Sequence, residues 1–94
     1  MTSEAALGMI ETIGLIGTAE ATDAMAKTAA ISIVTYETIE NGYSTTLVRG
    51  DVGAVLEATS AGAEAATKVG AVVAVHVIPN LHPEVEKVFL GSKK

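Results

Sequence analysis

The chain alternates apolar and polar residues, then shifts to a helical period, and does so twice. Residues 7–16 read Leu-Gly-Met-Ile-Glu-Thr-Ile-Gly-Leu-Ile, with Leu7, Met9, Ile13 and Leu15 on one face at period two and Glu11 interrupting. That period predicts a strand, and Gly8 and Gly14 mark a close backbone approach or a bend within it. Gly17-Thr18 follows. Thr18 is read as the N-cap of a helix, with Glu20 in its first turn facing the positive end of the dipole. The helix is expected over residues 19–28, with Ala21, Met25 and Ala29 on one stripe.

Ile31 to Ile39 is rich in β-branched residues and predicts a second strand. Asn41-Gly42 is the strongest turn signal, because both residues tolerate the positive φ of a tight hairpin. Tyr43 to Val48 is the returning strand, and Asp51 is placed to cap a helix over Val52–Lys68. Val52, Val55, Leu56, Thr59, Ala63 and Ala66 form its expected apolar stripe, and Glu64 and Lys68 are ordered for an i,i+4 pair. Gly70 is the expected C′ residue. Val72 to Ile78 is almost continuously apolar, which predicts a central strand covered on both faces. Pro79 stops it, and Pro83 to Phe89 is a short amphipathic segment resting on Val85, Val88 and Phe89.

The order is strand, helix, strand, strand, helix, strand. It predicts an α+β, ferredoxin-like (βαββαβ) domain: an antiparallel four-stranded sheet with helices on one face and a short C-terminal helix. The domain is expected over residues 5–89, with residues 1–4 and 90–94 as flexible termini.

Composition changes this picture in one respect. Of the 94 residues 49% are hydrophobic and only 18% charged, a large apolar supply for so small a core. The surplus points to a subunit interface. Net charge is −5 and the aromatics are only Tyr36, Tyr43 and Phe89. An acidic chain poor in aromatics argues against nucleic acid and against an anionic membrane surface. Without cysteine there is no disulfide, thiolate metal site or cysteine nucleophile. Met1-Thr2-Ser3-Glu4 lacks the basic and apolar regions of a signal peptide, so the expected location is cytoplasmic.

Four blocks carry a resemblance. They are Leu7-Gly8-Met9-Ile10-Glu11-Thr12 followed by Gly14-Leu15; Glu20 through Lys27; Val48-Arg49-Gly50-Asp51-Val52-Gly53-Ala54-Val55; and Val75-His76-Val77-Ile78-Pro79. In order and spacing they resemble the bacterial microcompartment shell proteins, single-domain hexamer-forming type, from about Ala5 to Val88. The resemblance implies a homohexamer, a flat ring that tiles with its copies and with other shell proteins into a layer around a set of enzymes. It implies that the loop Ile39-Glu40-Asn41-Gly42-Tyr43 surrounds a central pore for small metabolites, so Glu40, Asn41 and Gly42 are candidate pore-lining residues.

The chain departs from the family pattern at both candidate sites. The family's pore loop is usually a glycine-rich turn with a small residue at its tip; here Glu40 and Asn41 stand there. A ring of Glu40 carboxylates would disfavour anions and favour cations or neutral molecules; alternatively Glu40 is a solvated turn residue pointing off the axis. Lys27 matches the family's edge lysine between neighbouring hexamers. Its usual arginine partner after Val-Ile-Pro is Asn80 here, and a frequent edge asparagine is Ala30. Asn lacks the reach and forked donors of Arg, so tiling is expected to be weakened. Read without the family, Lys27 is an ordinary helix-terminal lysine at the negative end of the dipole.

Other chemistry is sparse. Two histidines and scattered acids make a poor metal set, so no metal or cofactor is expected. His76 is read as a hydrogen-bonded packing residue and His82 as a turn or interface residue. Glu11, Glu37 and Glu40 have no acid/base spacing, and Ser44 and Ser60 have no motif placing a base beside them. Arg49-Gly50-Asp51 reads as strand end, turn and helix cap. No catalytic residue is named and no enzyme activity is expected. The competing readings are an oligomeric ferredoxin-like sensor, which would need a polar ligand-sized interface site, and a small enzyme, which would need convergent titratable groups.

Overall fold

The computed structural model describes residues 5–28, 30–38 and 42–90. Seven elements follow one another: β1 (Ala6–Ile13), α1 (Leu15–Thr28), β2 (Ser32–Thr38), β3 (Tyr43–Gly50), α2 (Val52–Lys68), β4 (Val72–Ile78) and α3 (Pro83–Leu90). The strands form one sheet in the order β2-β3-β1-β4, with every neighbouring pair antiparallel. This is the expected ferredoxin-like plan.

Sheet alternation creates two cores. Ala6, Ile10 and Val48 face α1 and α2 and pack with Ala21, Met25, Val55, Ala58 and Ala66. On the opposite face Leu7 and Leu47 pack with Leu81, and Met9, Ile78 and Leu90 flank them. The C-terminal helix therefore joins the face that α1 and α2 leave open, and runs one residue past the expected domain limit. Asp51 caps α2 as its position predicts: Oδ1 accepts from the Ala54 N–H at 2.9 Å, a bond worth about 1 kcal/mol.

Several expectations are corrected. α1 begins at Leu15, not at residue 19, because the strand stops at a bend on Gly14. Leu15 continues the period of β1 in sequence, yet with Ile16 it forms the first helical turn. Thr18 is inside the helix and caps nothing. Its hydroxyl donates back to the Gly14 carbonyl at 3.0 Å and shares a 2.9 Å bond with the Thr12 hydroxyl.

The buried stripe of α2 is Val55, Ala58, Thr59, Gly62 and Ala66. It is turned toward small residues, leaving Val52 and Leu56 exposed. α1 crosses at Gly62, which leaves room for the Met25 side chain and the Ala21 carbonyl. The Glu64–Lys68 pair is not formed among the described residues; the i,i+4 ion pair belongs to Asp23 and Lys27.

β4 is the largest correction. It is an edge strand, not a central one, and Val73 and Val75 are exposed. An apolar run reports that a strand is covered, but not whether the cover comes from the same chain. A bare apolar edge with unpaired backbone is a surface made for pairing.

Candidate functional site

Two glycines fasten the start of β3. β1 and β3 run antiparallel and end in register at Ile13 opposite Tyr43. Just beyond, the Gly14 N–H donates to the Gly42 carbonyl at 2.8 Å. Both glycines have positive φ, +87° and +82°, which a side chain would strain. The hairpin end is thereby fastened to the turn between β1 and α1. Of the candidate pore residues, Gly42 sits at this junction; Glu40 and Asn41 lie outside the described residues.

Next to the junction is an open apolar groove of about 500 Å³, lined by residues that include Ile13, Leu15, Ile16 and Val69. Leu15 and Ile16 are 79% and 69% exposed and stand together beside Ile13 and Val69 as a contiguous apolar patch, the kind of surface that marks an interaction site. Here the apolar surplus of the composition comes to the surface.

The candidate edge residues occupy the other end of the domain. α1 starts beside the C-terminal end of β1 and packs back along it, with Thr18 on Thr12 and Met25 in the cluster with Ala6 and Ile10. Lys27, in its last turn, is thus carried toward the start of β1. β4 is antiparallel to β1 and brings Ile78 opposite Leu7, so Asn80, two residues on and exposed, also lies at that end. The eight residues of β1, about 25 Å of strand, separate the hairpin junction from this end.

Lys27 is exposed, with Nζ 2.9 Å from Asp23 Oδ2. The hydrogen bond to that carboxylate, reinforced by its charge and that of Glu20, holds the ammonium above the ordinary lysine value and keeps it charged. Asp23 was legible as a partner from its i,i+4 spacing, and the sequence reading passed over it.

Two residues serve roles that sequence reasoning did not assign. Arg49 is buried: Nε donates to the Ala6 carbonyl at 2.9 Å and Nη1 pairs with Glu86 Oε2 at 3.2 Å, tying α3 to the sheet. His76 is not a packing residue. It lies exposed on the open sheet face, opposite Met9, at the rim of a shallow depression of about 240 Å³ that also takes in Glu11 and Thr45. The depression holds two titratable groups, and among the described residues no three His, Cys, Asp or Glu side chains gather as metal ligands.

The model of the BMC domain family matches residues 6–81. This chain belongs to the BMC domain family. It is 59% identical over 83 residues to the bacterial microcompartment shell protein PduA of Citrobacter freundii, covering 88% of this chain and 89% of that one. It is 52% identical over 89 residues to the shell protein EutM of Escherichia coli K12, covering 94% and 92%. It is 51% identical over 90 residues to the carboxysome shell protein CsoS1B of Hydrogenovibrio crunogenus, covering 95% and 93%. Among solved structures, a microcompartment protein from Desulfitobacterium hafniense superimposes on 98% of this chain with a TM-score of 0.85 at 27% identity. This chain spans 50% of that longer one. BMC relatives this similar are shell proteins, which supports a structural shell role for this chain.

Proposed function

We propose that this protein is a tile of a bacterial microcompartment shell in the cytoplasm. Six copies of the 5–89 domain close into a ring around a central pore. Rings join edge to edge, and with other shell proteins, into a layer that encloses enzymes and serves them only indirectly. The observation that carries this reading is the separation along β1: the hairpin junction with its bare apolar groove lies at one end, Lys27 and Asn80 at the other. One end suits closure about an axis and the other suits contact between rings. The exposed apolar edge of β4 and the exposed Leu15 and Ile16 supply the surface that closure would bury.

Native mass spectrometry tests the ring. A single hexamer mass is expected; dimers or trimers would favour the oligomeric sensor instead.

In this reading Glu40, Asn41 and Gly42 line the pore. Six carboxylates on one axis repel anions, so Glu40→Gln is expected to raise passage of a small anion severalfold and leave a neutral solute unchanged. Flux across reconstituted layers checks this, and equal change for both solutes would count against a charged pore. At the rim, Lys27 meets a neighbouring ring where Asn80 cannot supply a forked donor. Asn80→Arg is therefore expected to lower the protein concentration at which sheets form. Electron microscopy across a dilution series reads the shift.

A further inference from the structure

The N-terminus of α3 is closed by an imidazole. Pro83 takes the first helical position, where a missing N–H costs nothing, so His82 is the N-cap. Its Nδ1 accepts from the Glu84 N–H at 3.0 Å, and its carbonyl accepts from the Glu86 N–H at 2.9 Å. Helices are ordinarily capped by Ser, Thr, Asp or Asn. A histidine can do so only in one state: Nδ1 accepts while the ring is neutral and the proton sits on Nε2.

We propose that His82 is a pH-sensitive cap, closing the first turn of α3 while its imidazole is neutral and releasing that turn when the ring takes a proton. Protonation turns Nδ1 into a donor facing another donor, the Glu84 N–H. It also puts a positive charge at the positive end of the helix dipole. The cap bonds only the neutral form, so its contribution is complete at high pH and is lost as pH falls through the titration of the ring.

The charges around His82 decide whether release is opposed. On α3 itself, Glu84 and Glu86 attract an imidazolium, but Glu86 is paired with Arg49 of β3 at 3.2 Å and Glu84 lies 4.0 Å from Lys87 Nζ. β1 and β4 bring Leu7, Met9 and Ile78 to this face; their titratable groups, Glu11 and His76, lie farther along it. Among the described residues, both carboxylates of α3 thus already face a cation. The preceding Leu81 stays buried, with its N–H on the Ala5 carbonyl at 2.7 Å, so loosening is confined to α3.

Amide hydrogen exchange of the assembled full chain from pH 5.5 to 8, corrected for intrinsic rates, tests this at the Glu84 amide. Wild-type protection is expected to fall about three- to fivefold from pH 8 to pH 5.5. His82→Asn keeps an acceptor that does not titrate and should be protected at both pH values. His82→Ala should be unprotected at both, and His76→Gln should keep the wild-type profile. A flat wild-type profile, a wild-type slope in His82→Asn, protection in His82→Ala, or loss of the slope in His76→Gln would each overturn the proposal.

Discussion

Gly62→Val is expected to lower the melting temperature by roughly 15 °C, the shift that about 3 kcal/mol produces in a domain of this size. Gly62 lies in α2 where α1 crosses it. A Cβ there would stand 2.7 Å from Ile10 Cδ1, 2.8 Å from Met25 Cγ and 3.1 Å from the Ala21 carbonyl oxygen. The first is the end of a flexible side chain and can swing aside, but Met25 Cγ is mid-chain, so the buried Met25 must repack. The third is backbone, so α1 itself must move, and with it Thr18 and Thr22, whose hydroxyls bond those of Thr12 and Thr46. Ala recovers up to about 1 kcal/mol of helix propensity, so Gly62→Ala should cost less than the valine. Gly53 is the control in the same helix: the nearest atom to a Cβ there is Asp51 Oδ1 at 3.6 Å. Gly53→Ala should be neutral or stabilising. Thermal scans at one fixed protein concentration separate these variants from any effect on assembly. Equal costs at positions 62 and 53 would mean the helices are not in close contact.

Arg49→Ala is expected to cost about 2–3 kcal/mol and to loosen α3. The ion pair is not the main reason. The Arg49 side chain is 9% exposed and that of Glu86 49%. Glu86 left alone regains water, so the pair itself contributes at most about 1 kcal/mol. The larger loss is at the Ala6 carbonyl, which keeps its buried position and loses a charged donor. Glu86→Gln should therefore cost well under half of Arg49→Ala. Denaturant melts rank the two variants, and exchange over residues 83–90 reports whether α3 has come away. Equal costs would mean that the ion pair, not the carbonyl bond, carries the contact.

Local chemistry was readable in the sequence where it is decided within a few residues. Asp51 is a cap because its oxygen reaches the third N–H along, and Gly42 turns because its φ is positive. The order of strands and helices followed from period alone. What the sequence left hidden depends on distance in space. Period two ran on to Leu15 because nothing local records where a strand gives way to a helix. The helix–helix contact at Ala58 and Gly62 was invisible because small residues carry little hydrophobic signal. Arg49 looked like the end of a strand; its partners are 43 and 37 positions away, at Ala6 and Glu86.

β4 shows most clearly why an apolar run is ambiguous. Its run predicts valines buried inside the domain; Val72 and Val77 do pack on the core, but Val73 and Val75 are exposed at the sheet edge. The period reports that the residues avoid water, which a neighbouring copy satisfies as well as a helix of the same chain. In the candidate site, Lys27 stands within a family block, while a pore role for Gly42 is what the resemblance alone implies. Asp23 is legible beside Lys27 from spacing, whereas the bond from Gly14 to Gly42 joins distant segments and came only with the fold.

The most direct measurement is a cryo-electron microscopy reconstruction of the assembled protein, in which Gly42 and Lys27 mark the two ends of β1. A six-fold ring with every Gly42 around the axis and every Lys27 on the outer rim is the expected result. Gly42 at the rim, or copies related by any other symmetry, would contradict the account.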